Sequence, residues 1–266
     1  MTKDATADAG PPWIREQTLA PGVLRWTLDN PHKRNAVHPA ALAWIRERAR
    51  ALRGEVVLLT GAGTRAFSAG FDLSALPETL SEAAARAGLP DSPLIEACDA
   101  IEAADACFVA VLNGYVIGAG VELACACDLR VAREGVWFQV PAARLGVVYH
   151  ARGLQRFRAV FGPGLTRRLM LLADRLSAEE VLAVGGLARL VESQETLDAV
   201  ACELAERLRG FSSQSTRGHR EMLRCLERDA APDGPTLEEH ERRRRAAYTA
   251  RGRSSSSSPS SSSTKK

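Results

Sequence analysis

Aromatic residues make up only 5% of this 266-residue chain, and methionine occurs three times. No run of about 18 apolar residues is present, so no membrane-spanning helix is expected. Residues 1–12 (MTKDATADAGPP) lack the apolar centre of a secretory signal and read as a disordered leader. Charge of one sign is equally scarce. Thirty-five Lys and Arg oppose 32 Asp and Glu, and part of the formal +3 lies in 242–245 and in Lys265 and Lys266. That balance offers no dense basic face for nucleic acid. The six cysteines (Cys98, Cys107, Cys125, Cys127, Cys202 and Cys225) form no CxxC pair, and no histidine stands at a zinc-ligand spacing from them. Most sit in Ala-rich stretches, where Cys behaves as a small buried hydrophobe. Free thiols suit a reducing cytosol, so a cytoplasmic protein without a metal site is expected.

What remains is the composition of an ordinary soluble globular protein, 45% hydrophobic and 25% charged. Its length is near the upper size of one domain. Strands are expected over 13–28, broken by the turn at Pro21 and Gly22, with a helix over 39–52 opened by Pro39. EVVLLT at 55–60 reads as a buried strand. A glycine-punctuated loop (61–70) and a mobile helical excursion (74–92) follow. A helix (93–106), a strand (108–112), a second glycine-rich turn (114–120), a helix (121–127) and a strand (128–132) come next. Further helices are expected at 162–173, 177–185, 194–209, 212–228 and 236–250. The recurring strand, glycine turn and helix at 55–106 and 108–127 suggests stacked ββα repeats, an α/β architecture. The serine-rich end, 251–266, reads as disordered.

Chemistry is expected at the two glycine-rich turns, where small residues expose backbone N–H groups. Gly118-Ala119-Gly120 stands just before a helix, whose first N–H groups lack intrahelical partners and carry the positive end of the dipole. An oxygen that becomes negative during a reaction would be stabilised there. The competing reading is that Gly118 and Gly120 merely permit close strand–helix packing. VLLTGAG at 57–63 is no dinucleotide fingerprint, because Ala66 stands where a third glycine is needed. Ser68 lies in AFSAG rather than GxSxG and is no hydrolase nucleophile.

NPHKRNAV (30–37), VVLLTGAGTRAFSAGFDL (56–73) and NGYVIGAGVELACACDLRVA (113–132) together resemble the signature of the crotonase (enoyl-CoA hydratase/isomerase) superfamily. PAARLGVVYHARGLQRF (141–157) and LLADRLSAEEVLAVGGLARLV (171–191) resemble its next segments, in order. The resemblance implies a spiral of ββα repeats over 13–191 and a helical trimerisation region over 192–250, forming homotrimers or hexamers. It implies an acyl-CoA thioester substrate that itself carries the coenzyme A, with no separate cofactor. The thioester oxygen would be held by the backbone N–H groups of Phe71 and Ala119. Lys33, Arg34 and Ala36 would meet the phosphates and pantetheine of CoA, and Ala69, Asp72 and Leu73 its adenine.

Glu122 takes the position of one of two family glutamates that act as acid and base. It is a carboxylate in the first turn of an apolar helix, where burial is expected to raise its pKa. The alternative is a dipole-stabilised glutamate pointing to solvent. The second glutamate is replaced by Ala142. Where the family usually has Pro-Gly, this chain has Tyr149 and His150, and Tyr149 resembles the arrangement of bacterial methylmalonyl-CoA decarboxylases. Tyr149 is therefore a candidate catalytic residue or else a packing residue, and His150 reads as a solvent-facing loop histidine. The expected function is an enoyl-CoA hydratase/isomerase-type enzyme that stabilises a thioester enolate. The alternatives are a malonyl-type acyl-CoA decarboxylase and a non-catalytic acyl-CoA binding protein.

Overall fold

The computed structural model describes residues 12–75 and 89–228, together with residues 238, 241–242 and 245–246. The expected leader and serine-rich tail, and most of the expected 74–92 and 236–250 segments, lie outside the described residues.

Strands β1 (Trp13–Ala20) and β2 (Val23–Asp29) form the hairpin expected around Pro21 and Gly22. Helix α1 (Pro39–Ala51) starts with Pro39 at its first position, and His38 caps it by accepting the Ala40 N–H at 3.1 Å. Strand β3 (Arg53–Gly61) leads to the short β4 (Ala66–Ser68), and helix α2 (Ser92–Ala103) follows. Next come β5 (Asp105–Leu112), β6 (Tyr115–Ile117) and helix α3 (Ala119–Ala126). After them run β7 (Leu129–Arg133), β8 (Trp137–Gln139) and α4 (Ala151–Arg167). The unit of long strand, short strand and helix is thus used three times, once more than the sequence pattern suggested. The short strands escaped notice because three residues are too few to show an alternation.

The long strands join a six-stranded sheet in the order β1-β2-β3-β5-β7-β10, where β10 is Arg189–Val191. The short ones form a second sheet, β4-β6-β8-β9, with β9 at Leu176–Ser177. The large sheet is buried on both faces, which explains the continuous apolar runs of β3 and β5. Alternate residues divide between the faces. Trp26, Val57, Leu59, Phe108 and Ala110 join the main core under α1, α2 and α3. Val23, Val56, Leu58, Val109 and Val111 pack against Leu197, Ala201 and Leu204 of helix α6 (Gln194–Arg209). Helix α5 (Ala178–Ala183) opens with a capping box between Ser177 and Glu180. Helix α7 (Ser213–Arg228) docks by its arginines. Arg220 pairs with Asp128 at 2.8 Å and donates to the Ala104 carbonyl, and Arg224 donates to the Ala126 carbonyl. Cations at the C-terminal ends of α2 and α3 suit the negative ends of those helix dipoles.

Helix α4 corrects the expected 162–173 helix. It begins eleven residues earlier, at Ala151, and bends where Gly162 adopts φ 67° before Pro163. Beyond it, Arg168–Leu172 continues as a single wide π-turn. Glycine and proline in mid-segment obscure a helix that tertiary packing sustains. Among the described residues no helix is long and apolar enough to cross a membrane.

The loops that carry the site are fixed by two buried asparagines. Asn113 accepts the Gly61 N–H at 3.2 Å and donates to the Gly61 and Gly63 carbonyls at 2.8 and 2.5 Å. Asn35, in the left-handed region (φ 57°), donates to the Ala62 and Ala66 carbonyls at 2.9 and 2.8 Å. Replacing Asn113 by Ala would leave these buried groups without partners. We expect Asn113→Ala to lower unfolding stability by about 3 kcal/mol, as read from urea denaturation.

Candidate active site

The two glycine-rich turns face one another. Gly70 has φ 97° and Gly118 has φ 52°, backbone conformations that other residues rarely adopt. A methyl group on Gly70 would lie 3.0 Å from the Ile117 carbonyl oxygen and 3.6 Å from the Ala119 nitrogen. The turns therefore approach to van der Waals distance because glycine stands at the contact. Gly120 plays the other role considered for these glycines. A Cβ there would stand 2.7 Å from the Ser68 Cβ, so Gly120 lets α3 pack on β4.

This approach aims two N–H groups. Phe71 forms a single parallel bridge with Val37, in which Val37 N–H bonds to Gly70 O (2.7 Å) and Asp72 N–H to Val37 O (3.0 Å). The Phe71 N–H therefore points away from that bridge. Ala119 is the first residue of α3, where an N–H has no partner four residues back. The Gly118 carbonyl accepts from Val121 (3.0 Å) and Glu122 (3.3 Å), and its N–H donates to Gln139 O (2.9 Å), which anchors the turn.

Phe71 and Ala119 both line a cavity of ≈ 210 Å³ that opens to solvent. Its walls are apolar: Leu94, Ile117, Val140 and Val147 stand around it, with Ala142 and Tyr149 beside them. Ala142, which replaces the second family glutamate, presents only a methyl group. Asp91 also lines the cavity, a residue the sequence reading did not single out.

Glu122 is fully buried and is not among the residues lining the cavity. Its Oε1 accepts from Arg156 at 2.7 Å, and its Oε2 faces His150 Nε2 at 3.0 Å. The Tyr149 phenol lies close enough to the same carboxylate to help lower its pKa. Tyr149 thus stands between Glu122 and the cavity, while its ring packs on Phe157 with centroids 5.1 Å apart. Burial alone would raise the Glu122 pKa, as the sequence suggested. His150, through its field and its hydrogen bond, then Arg156 and Tyr149, outweigh burial and bring it below the usual carboxylate value. His150 also departs from expectation, because it is buried. Its Nδ1 accepts the Gly153 N–H at 3.0 Å and caps α4, which leaves the proton on Nε2 facing Glu122. Burial, with the nearby Glu122 charge next, pushes the Tyr149 phenol well above its usual pKa. It remains protonated at neutral pH.

Several residues assigned to CoA by resemblance come together at one edge of the site. Lys33 pairs with Asp72 at 2.9 Å and bonds Ser74 Oγ at 2.5 Å. The Arg34 carbonyl accepts the Ala69 N–H at 3.0 Å, and Ala36 follows on the same strap. Burial would raise the Asp72 pKa, but the Ser74 hydroxyl and Lys33 bring it down. The Leu73 backbone opens a short 3-10 turn next to Asp72. Cys98, Cys125 and Cys127 are buried thiols, and burial pushes Cys127 up to about 12. Among the described residues no cluster of three or more His, Cys, Asp or Glu could hold a metal ion.

Repeated ββα units around a paired-turn cavity define the crotonase class of α/β enzyme folds. The family model for Enoyl-CoA hydratase/isomerase matches residues 18–251, and the chain belongs to that family. It is 32% identical over 216 residues to the carnitinyl-CoA dehydratase of Salmonella enteritidis PT4, covering 80% of each chain. Among solved structures it resembles an enoyl-CoA hydratase/isomerase family protein from Hyphomonas neptunium. That match has 33% identity and a TM-score of 0.72, over 86% of this chain and 87% of that one. A methylmalonyl-CoA decarboxylase bound to 2-nitronate-propionyl-CoA superposes with a TM-score of 0.78 over 89% and 90% of the chains. At 23% identity that likeness is one of fold.

The lowered Glu122 pKa has a consequence for stability. The unfolded chain binds this proton more readily than the folded chain does. The stabilisation is therefore present above the ordinary value of 4.5 and lost as pH falls through the lower folded value. Below pH 4.5 the urea midpoint of the wild type should fall more steeply than that of Glu122→Gln. Parallel acid limbs would contradict this account of the carboxylate.

Proposed function

We propose that this chain acts on acyl-CoA thioesters as an enzyme of the hydratase/isomerase type. The thioester oxygen would sit between the Phe71 and Ala119 N–H groups while the α-carbon becomes enolate-like. The observation that supports this reading is the face-to-face approach of the Gly70 and Gly118 turns, beside which Phe71 and Ala119 line one largely apolar cavity. Donors held rigidly in a site of low polarity stabilise developing negative charge without reorganising. Lys33, Arg34, Ala36, Ala69, Asp72 and Leu73 would hold the nucleotide and pantetheine of the substrate's own CoA, so no further cofactor enters the scheme. Tyr149 would meet the acyl group, with Glu122 behind it positioning the hydroxyl. A cytoplasmic homotrimer or hexamer fits this reading.

Ala142 and Tyr149 favour a second reaction on the same scaffold. Decarboxylation of a malonyl-type thioester breaks a C–C bond to give carbon dioxide and the enolate, and it requires no base. A protonated Tyr149 beside an apolar wall could orient the leaving carboxylate.

Mass-spectrometric turnover assays with crotonyl-CoA, a 3-enoyl-CoA and methylmalonyl-CoA separate the two. Hydration or double-bond migration is expected, and carbon dioxide loss alone would transfer the assignment to decarboxylation. Gly118→Ala adds a methyl group with no atom nearer than 3.8 Å, so its main effect is on the turn's backbone. It should lower kcat by about 10²–10³ if the donor pair is essential. A folded Gly118→Ala enzyme with wild-type kcat would remove the basis for this oxyanion hole.

A further inference from the structure

We infer that Gly153 seats the Tyr149 ring as a fixed wall of the cavity and that this wall restricts the acyl group to a short chain, an assignment that rests on the acyl-CoA reading above. Tyr149 lines the cavity, while its hydroxyl is buried near Glu122. The ring is gripped from the protein side. It stacks on His150 with centroids 5.2 Å apart at 20°, and it leans on Phe157 at 5.1 Å. Phe157 is fully buried and backed by Phe161, whose ring meets Phe138 of β8 at 5.7 Å. The ring therefore cannot retreat into the core without displacing close-packed aromatic side chains.

Glycine at position 153 is what permits this placement. Gly153 lies in the first turn of α4, where its N–H bonds His150 Nδ1 at 3.0 Å. Its backbone is not in the left-handed region, so the turn itself makes no demand for glycine, a poor helix former. The demand comes from the ring. A Cβ on Gly153 would stand 2.4 Å from Tyr149 Cε1 and 2.7 Å from Cδ1. Even a methyl group would drive the ring off the helix, and with Phe157 behind it the cavity is the side left open.

The register of α3 sets how far this wall stands from the Gly118 turn. Ala119 and Glu122 are three residues apart in that helix, a rise of about 4.5 Å. The Tyr149 phenol lies near Glu122, so the ring stands about one helical turn further along α3 than the Ala119 N–H. A chain whose thioester oxygen sits at that N–H has room for about four carbons before it meets the ring. The size of the cavity agrees. Its ≈ 210 Å³ falls below the roughly 300 Å³ at which sites for larger ligands begin.

The test measures Kd by calorimetry on the full chain for acetyl-, butyryl-, hexanoyl- and octanoyl-CoA, with free coenzyme A as reference. Each methylene that finds an apolar wall tightens binding by about fourfold. In the wild type we expect this gain to stop at butyryl-CoA. Tyr149→Ala removes the wall, and octanoyl-CoA should then bind at least about tenfold tighter than butyryl-CoA. Gly153→Ala pushes the ring inward, so butyryl-CoA should lose about tenfold while acetyl-CoA stays within about threefold. The double variant has no ring to displace and should show the preference of Tyr149→Ala, which separates ring displacement from damage to α4. A wild type whose affinity climbs steadily through octanoyl-CoA would overturn the assignment. So would a butyryl cut-off that persists in Tyr149→Ala, or wild-type butyryl-CoA affinity in Gly153→Ala. A wild type that binds neither coenzyme A nor any of its thioesters would overturn the acyl-CoA reading and this assignment with it.

Discussion

The guanidinium of Arg156, buried among three carboxylates, ties together the helices beneath the cavity. It reaches from α4 to Asp99 and Glu102 of α2, the latter at 2.7 Å, and to Glu122 of α3 at 2.7 Å. Glu102 in turn faces Arg224 of α7 at 3.3 Å. A buried charge left alone would cost several kcal/mol, so each member is held by the others and the helices cannot slide independently. Glu122 is the link between this network and the cavity. Held by Arg156 and His150, it lies behind Tyr149, which lines the cavity.

Above that network, the backbone rather than side chains shapes the polar part of the cavity. Gln139 and Val37 hold the two turns by main-chain hydrogen bonds, and glycine at the contact lets them close to van der Waals distance. Asn35 and Asn113 bind the loop that connects them to β3. Donors fixed in this way do not have to reorient as charge develops, which is the physical content of preorganisation. The apolar remainder of the lining lowers the local polarity, which strengthens electrostatic interactions there.

Much of this was legible along the chain because it is local. The β3 strand, α6 over residues 194–209, the hairpin turn and both glycine turns follow from apolar runs, capping residues and glycine spacing. The motifs at 30–37, 56–73 and 113–132 marked the family, and they lie at the two turns and at the strap that hydrogen-bonds to the first of them. The environment of Glu122 was not legible. Its sequence neighbours are apolar and suggest a raised pKa, whereas Arg156 and His150 lie 34 and 28 residues away and reverse the direction. His150 looked like a loop residue because the glycines and proline of 151–164 conceal the helix it caps.

The sequence by itself determined the α/β repeat, the positions of the two turns and the family, since each depends on residue type at short spacing. Only the tertiary structure decided which charges neutralise one another and which side chains reach the cavity. Electrostatic partners are chosen by distance in space, and in a buried site one partner from a distant helix outweighs every neighbour along the chain.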